Sequence, residues 1–323
     1  MTPFGFPGGI GRSAASLVLV ASTVTCASEY SKNVDATWKS GTAQHAVSVG
    51  SSTRTFLVHV PPGRPRNRFG VPTSYPLVVL LHGSGADGET IRRQSRIELL
   101  ADSLRFAVAY PNGTSGVLGF GSDWNAGTCC GAAARDNVDD VAFVRALIAA
   151  TGSRIPIDRR RIFIAGFSDG GRMAYRLACE EATMIAAVGV VSGSLMHERC
   201  KPARPVPVIA FHGTSDTEVP YADSALTAAR VPAPPASSGM PPAVRFWSAV
   251  DGCKGVALRR EAPHVTRASF GPCSGADVVL YTIEDGLHAW PGGDKDGGDG
   301  ALPTIEIRAT DAMMQFFFRH PLP

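Results

Sequence analysis

Residues Ile162–Ala182 read IFIAGFSDGGRMAYRLACEEA. An apolar run, IFIAGF, meets a glycine-rich corner around Ser168, and a helical pattern follows. Apolar strand, tight corner and helix together are what a nucleophile elbow demands, because small residues flanking the serine let the backbone turn sharply without clashing. The pattern Gly166-Phe167-Ser168-Asp169-Gly170 does not decide the matter alone. With 35 glycines in 323 residues, chance matches to it are frequent, and a small polar residue filling a turn reads the same way.

The strand before Ser168 has companions. Thr53–Val60 alternates apolar and polar residues, as an edge or half-exposed strand does, and Pro61-Pro62 stops it. Tyr75–Leu81, Phe106–Tyr110, Arg161–Phe167, Ala186–Val191, Val206–Phe211 and Val278–Ile283 are short apolar runs. Helical patterns fall between or after them, over Glu89–Leu104, Val138–Ala150, Asp169–Glu181 and Thr304–Phe318. Strands apolar along their whole length, alternating with helices, predict an α/β architecture: a mostly parallel central sheet with helices on both faces. One catalytic domain is expected over residues 46–320, with lid-like loops around 231–275. The proline-rich Val231–Ala243 reads as loop, and Pro291–Gly300, with Asp294, Asp296 and Asp299, as a solvated turn without calcium-loop spacing.

Composition narrows the function classes. Thirty-one basic residues face 28 acidic ones without blocks, giving a net charge of +3 and no stripe for nucleic acid. Arg12 precedes the short apolar run Ser13–Val24 and the small residues Thr25–Ser28, so residues 1–27 are expected to be a signal peptide, too short to span a bilayer. Residues 28–45 are expected to be a flexible segment. Export to the periplasm or medium follows, with a lipid anchor on Cys26 as the alternative, though Thr25 fits poorly before a lipidated cysteine. Beyond Cys26 there are six cysteines, an even number, which suits an oxidising compartment. Six cysteines allow 15 pairings. Spacing favours Cys253 with Cys273, leaving Cys129, Cys130, Cys179 and Cys200 to pair among themselves, the adjacent two expected to lead in different directions. No Cys/His spacing supports a metal.

Partners for Ser168 decide its role. A hydroxyl needs a base to take its proton, and of eight histidines only His288 follows the last apolar run and opens a loop, HAWPGG. His82 and His212 each precede glycine at a strand end and read as corner-shaping. An acid must fix the tautomer of the base, and Asp216, just past a buried run, is the best placed. Asp285 would have to fold back, and Asp139 and Asp140 read as the start of a helix. The resulting order, Ser168, Asp216, His288, is that of α/β-hydrolases. The oxyanion hole is expected from the backbone N–H of Asp169 and of Ser84, in the glycine-rich HGSGADG after Tyr75–Leu81. Trp124 and Trp290 are candidates for the walls of a substrate pocket or, equally, for buried braces.

Taken in order from residue 80 to 293, the segments LLHGSGADG, YPNG, DWNAGTCCG, VDDVAFVRALI, GFSDGGRMAYRLACE, HGTSDTEVPY and GLHAWPGG resemble the polyhydroxybutyrate depolymerase/feruloyl esterase group of secreted α/β-hydrolases, related to carbohydrate esterase family 1. The resemblance implies the α/β-hydrolase fold and a secreted serine carboxylic-ester hydrolase, without cofactor, with Ser168, Asp216 and His288 as its triad. Two departures are visible. Asp169 stands where the group more usually has asparagine, and Leu287-His288-Ala289-Trp290 replaces the commoner Gly-His-Thr-Trp. No Ser/Thr-rich linker or second domain suits attack on solid polyester. Soluble esters are therefore expected: feruloyl or acetyl sugar esters, or short hydroxyalkanoate oligomers. A true polyhydroxybutyrate depolymerase, or a hydrolase-fold protein that only binds an envelope ligand, are the alternatives.

Overall fold

Each apolar run becomes a strand in the computed structural model, which describes residues 39–115, 122–222, 239–295 and 301–323. The expected leader, Cys26 and most of the proline-rich stretch lie outside the described residues. In chain order the strands are β1 (Gly41–Val49), β2 (Ser52–Val60), β3 (Tyr75–Leu81), β4 (Ala107–Pro111), β5 (Thr114–Ser115), β6 (Ser122–Asp123), β7 (Ile157–Phe167), β8 (Ala187–Val191), β9 (Val208–Gly213), β10 (Val256–Ala262), β11 (Val265–Phe270) and β12 (Val278–Ile283). The helices are α1 (Gly88–Ser95), α2 (Ile97–Leu104), α3 (Gly131–Arg135), α4 (Asp140–Gly152), α5 (Asp169–Glu180), α6 (Pro242–Val250) and α7 (Ala309–Phe317).

Ten strands form one sheet in the order β1-β2-β4-β3-β7-β8-β9-β12-β11-β10. From β4 to β12 every pairing is parallel. Antiparallel strands finish both edges. Parallel strands need helical crossovers, which cover both faces of the sheet. Along β3, Leu77, Val79 and Leu81 face one core with Val144 and Leu147 of α4 and Met173 and Leu177 of α5. Val78 and Leu80 face the other, with Ile91 of α1, Ile97 of α2 and Met313 and Phe317 of α7. This two-residue alternation explains why the central strands are apolar throughout. On the second face Phe163 of β7 stacks on Phe317, ring centroids 4.8 Å apart.

Several elements differ from expectation. Strand β1 begins at Gly41, inside the segment expected to be flexible; its largely exposed residues carry no apolar run, and its register comes from pairing with β2. The helix expected over Glu89–Leu104 breaks at Arg96, in the left-handed region at φ 54°. The stretch expected as loops around 231–275 contains α6 and the hairpin β10–β11. Pro242 starts α6, where a missing N–H leaves no helical bond unmade. Among the described residues strand β10 is one edge of the sheet, and its Leu258, Arg259, Arg260 and Glu261 are exposed.

Three disulfides join Cys129 to Cys130, Cys179 to Cys200 and Cys253 to Cys273. The third pair is the one spacing favours. The adjacent cysteines do not lead in different directions: the fold brings Cys179 and Cys200 to 5.0 Å between Cα atoms, which leaves Cys129 and Cys130 to each other.

At the centre, α5 lies close against β7 and β3. A Cβ on Gly170 would strike the carbonyl oxygens of Leu81 and His82, and one on Gly166 the backbone of Gly170. Both neighbours are backbone, so neither yields easily. We therefore expect Gly170→Ala to destabilise the fold by about 1–3 kcal/mol or more, measured as the shift in urea midpoint against wild type; an unchanged midpoint would mean that α5 is free to move outward.

Candidate active site

Strand β7 ends at Phe167, and Ser168 turns the chain into α5 with φ 54° and ψ −118°. A non-glycine residue in this region is strained and persists only where its surroundings over-determine it. Here its N–H donates to Val191 O (3.0 Å) on the neighbouring β8, and its carbonyl accepts from Arg172 N (3.0 Å). The side chain stands at the amino end of α5, where amides without helical partners and the helix dipole favour negative charge.

His288 follows β12, as expected. Its Nδ1 lies 3.0 and 2.9 Å from the two carboxylate oxygens of Asp216. Asp216, past the end of β9, has a fully buried side chain and accepts from the backbone N–H groups of Glu218 (3.1 Å) and Val219 (2.9 Å). Burial pushes its carboxyl upward, but the hydrogen bonds from His288 and Val219 outweigh this and hold it below the ordinary carboxylate range. A charged Asp216 fixes the proton of His288 on Nδ1 and leaves Nε2 as the acceptor. Asp285, nearer to His288 in sequence, gives its backbone N–H to Thr214 Oγ1 (2.8 Å), and it is Asp216 that meets Nδ1. Asp139 caps α4 through Ala142 N, and Asp140 pairs with Arg54 at 2.8 Å.

Ser168 and His288 line one cavity of about 240 Å³ together with Gly83, Ser84, Asp169, Arg172, Glu218 and Val219. Both residues expected to give oxyanion donors, Ser84 and Asp169, are thus beside the serine. The loop that carries Ser84 is tied to β6: Gly85 N donates to Ser122 O (3.0 Å), and Ser84 Oγ donates to Asp123 Oδ1 (2.8 Å). Its base is set by His82, fully buried, whose Nδ1 donates to Gly83 O (2.7 Å) while Nε2 accepts from Gly113 N (2.9 Å). A larger cavity, of about 550 Å³, lies beside β2 and is not lined by Ser168, Asp216 or His288.

The two tryptophans do not reach the cavity. Trp124 is fully buried and donates from Nε1 to His82 O at 2.9 Å. Trp290 is 1% exposed and donates to Thr310 Oγ1 at 2.9 Å. Each indole is apolar except for one donor, and each donor is already used inside the protein. Each is held inside the protein by that bond, and neither lines this cavity.

Three charged groups were missed by the sequence reading. Arg172, one helical turn after Ser168, donates from Nη1 to Asp169 Oδ1 at 2.6 Å. Burial pushes the Asp169 carboxyl above its usual value; Arg172 opposes the rise, and Asp123 adds to it. The i,i+3 spacing of Asp169 and Arg172 carried the signal for that pair. Asp123, 46 positions before Asp169 in the chain, had none. Glu218 also reaches the cavity, from the turn that holds Asp216. The sulfurs of Cys129 and Cys130 lie with the Asp169 carboxylate in a group compact enough for a metal, but as a disulfide they offer no thiolate.

A parallel sheet covered on both faces, with a serine elbow at the carboxyl end of a central strand and an Asp–His pair delivered by later loops, defines an α/β-hydrolase. The chain belongs to the Esterase PHB depolymerase family, whose pattern matches residues 55–250. It is 30% identical over 267 residues to NocK of Nocardia uniformis subsp. tsuyamanensis, a protein provisionally named an esterase, covering 78% of this chain and 75% of that one. It is 32% identical over 233 residues to feruloyl esterase B of Piromyces equi, covering 69% of this chain and only 41% of the relative's length. Acetyl xylan esterase from Aspergillus awamori shares the fold, with a TM-score of 0.60 over 85% of this chain and 99% of that chain at 14% identity.

The buried imidazole of His82 yields a pH prediction. Burial lowers its pKa from 6.5 to about 4. Because the folded value lies below the unfolded one, the stabilisation is complete above pH 6.5 and is lost as pH falls toward 4, by roughly 3 kcal/mol at most. NMR titration is expected to find the His82 ring still neutral at pH 5; a His82 ring titrating near 6.5 would contradict the buried acceptor role of Nε2.

Proposed function

We propose that this protein is a secreted serine carboxylic-ester hydrolase that acts through an acyl-enzyme on soluble esters, of the feruloyl or acetyl sugar type or short hydroxyalkanoate oligomers. The observation that carries this reading is that His288, paired with buried Asp216, lines the same cavity as Ser168 on its strained elbow. Family membership and the esterase names of the relatives support ester hydrolysis. The three disulfides support an oxidising compartment outside the cytoplasm. Among the described residues no helix is long and apolar enough to cross a membrane.

In this mechanism His288 Nε2 takes the proton of Ser168 as Oγ attacks the ester carbonyl. Asp216 stabilises the imidazolium without itself taking the proton. The tetrahedral oxyanion is met by the N–H of Asp169 at the start of α5 and by that of Ser84, donors whose loss individually costs about 3 kcal/mol of barrier in related chemistry. His288 then protonates the departing alcohol, and water repeats the steps on the acyl-enzyme. The cavity wall is polar on the side of Ser84, Arg172 and Glu218, which suits a hydroxyl-bearing alcohol better than the surface of a solid polyester.

The test is kcat/KM for methyl ferulate, an acetylated xylo-oligosaccharide and a soluble 3-hydroxybutyrate trimer, with Ser168→Ala as blank. Wild type is expected to turn over at least one of them, and Asp216→Asn to lower kcat by about 10⁴-fold with the fold intact. Wild type indistinguishable from its blank on all three, and on nitrophenyl esters, would refute the reading. The preferred ester assigns the substrate class.

A further inference from the structure

We infer that Arg172 is a positioning residue of this site: its guanidinium offsets the carboxylate of Asp169 beside the oxyanion hole, and the Cys129–Cys130 bridge helps to hold it there. This rests on the hydrolase reading above. The residue whose N–H is to meet the oxyanion, Asp169, carries a carboxylate that is itself buried, at 4% exposure. An uncompensated anion a few ångströms from a developing anion raises the barrier, and the effect is large where water is excluded. A second carboxylate, Asp123, stands behind Ser84, with one oxygen taken by the Ser84 hydroxyl (2.8 Å) and the other by Ala132 N (3.3 Å).

Against these acids the cavity sets one permanent positive charge. Of the described residues that line it, Arg172 alone is a lysine or arginine, while Asp169 and Glu218 are acidic. The guanidinium is held on several sides. Nη1 donates to Asp169 Oδ1 at 2.6 Å and lies 3.3 and 3.5 Å from the sulfurs of Cys129 and Cys130, and Nε donates to Ser194 Oγ at 3.3 Å. Its side chain is only 17% exposed, so solvent screens the pair weakly. The sulfurs are weak acceptors; their part is to fill the space behind Nη1 and leave the guanidinium facing the carboxylate. Backbone bonds from Cys130 N to Trp124 O (2.9 Å) and from Ala134 N to Cys130 O (3.0 Å) fix the bridge in turn.

A double-mutant cycle tests the inference, read as kcat and KM on p-nitrophenyl acetate. Arg172→Met is expected to lower kcat by about tenfold or more with little change in KM, since the charge acts on the transition state. In a protein already carrying Asp169→Asn, the same replacement is expected to change kcat by less than about twofold, because the carboxylate that Arg172 contacts is gone and Asp123 keeps its own donors, Ser84 Oγ and Ala132 N. An arginine with a purely structural role would cost the same factor in both backgrounds, and that result would overturn the inference. If Arg172→Met does not fold, Arg172→Gln, which keeps a polar head and loses the charge, carries the same comparison with the same two outcomes. Wild type without turnover on any ester overturns the hydrolase reading and this inference with it; turnover with equal factors in both backgrounds overturns this inference alone.

Discussion

The arrangement depends on how closely α5 packs onto the sheet. Gly166, Gly170 and Gly171 bring the first turn of the helix against the backbone of β7 and against the carbonyl oxygens at the end of β3. That proximity holds Ser168 at positive φ and sets the loop after β3 beside it, so the nucleophile candidate and both expected oxyanion donors share one small space. Side chains of ordinary size at those three positions would separate the helix from the strands. Everything above the sheet, including the reach of the later loops that carry Asp216 and His288, is measured from this contact.

The site also concentrates charge under poor solvation. Buried carboxylates are costly unless each finds donors. Asp216 finds two backbone amides and an imidazole, and Asp169 a guanidinium; the half-buried Asp123 takes a hydroxyl and an amide. His82 and His212 avoid the problem differently. Burial lowers the pKa of each, and in neutral form their ring nitrogens satisfy backbone groups of the loops they support. His288 differs from both: its Nδ1 meets a carboxylate, and its ring lines the same cavity as Ser168.

The central sheet was legible because parallel strands buried on both faces must be apolar at every position, and such runs are visible without alignment. That Ser168, Asp216 and His288 would come near one another was legible for a related reason, since residues that follow the ends of parallel strands gather at one edge of the sheet. The edges were not. β1 and β10 are mostly exposed, so their sequences carry little apolar signal, and their conformation is set by partners. Arg96 broke an expected helix by taking a conformation that side-chain pattern does not encode. The cysteine pairing and the burial of Trp124 and Trp290 depend on distances between segments remote in sequence, and the Asp123–Ser84 contact spans 39 positions.

Strand β10 has a consequence for how copies of the protein meet one another. An open sheet edge presents unpaired amides and carbonyls that a second sheet can extend. On this edge the exposed Arg259, Arg260 and Glu261 would be brought against the same row of charges in any symmetric, strand-to-strand encounter. Arg260 is also bound to Glu284 at 2.8 Å, so it holds its place over the edge. Continuation of the sheet from one molecule into the next along β10 would require stripping water from these groups, a cost that opposes sheet extension there.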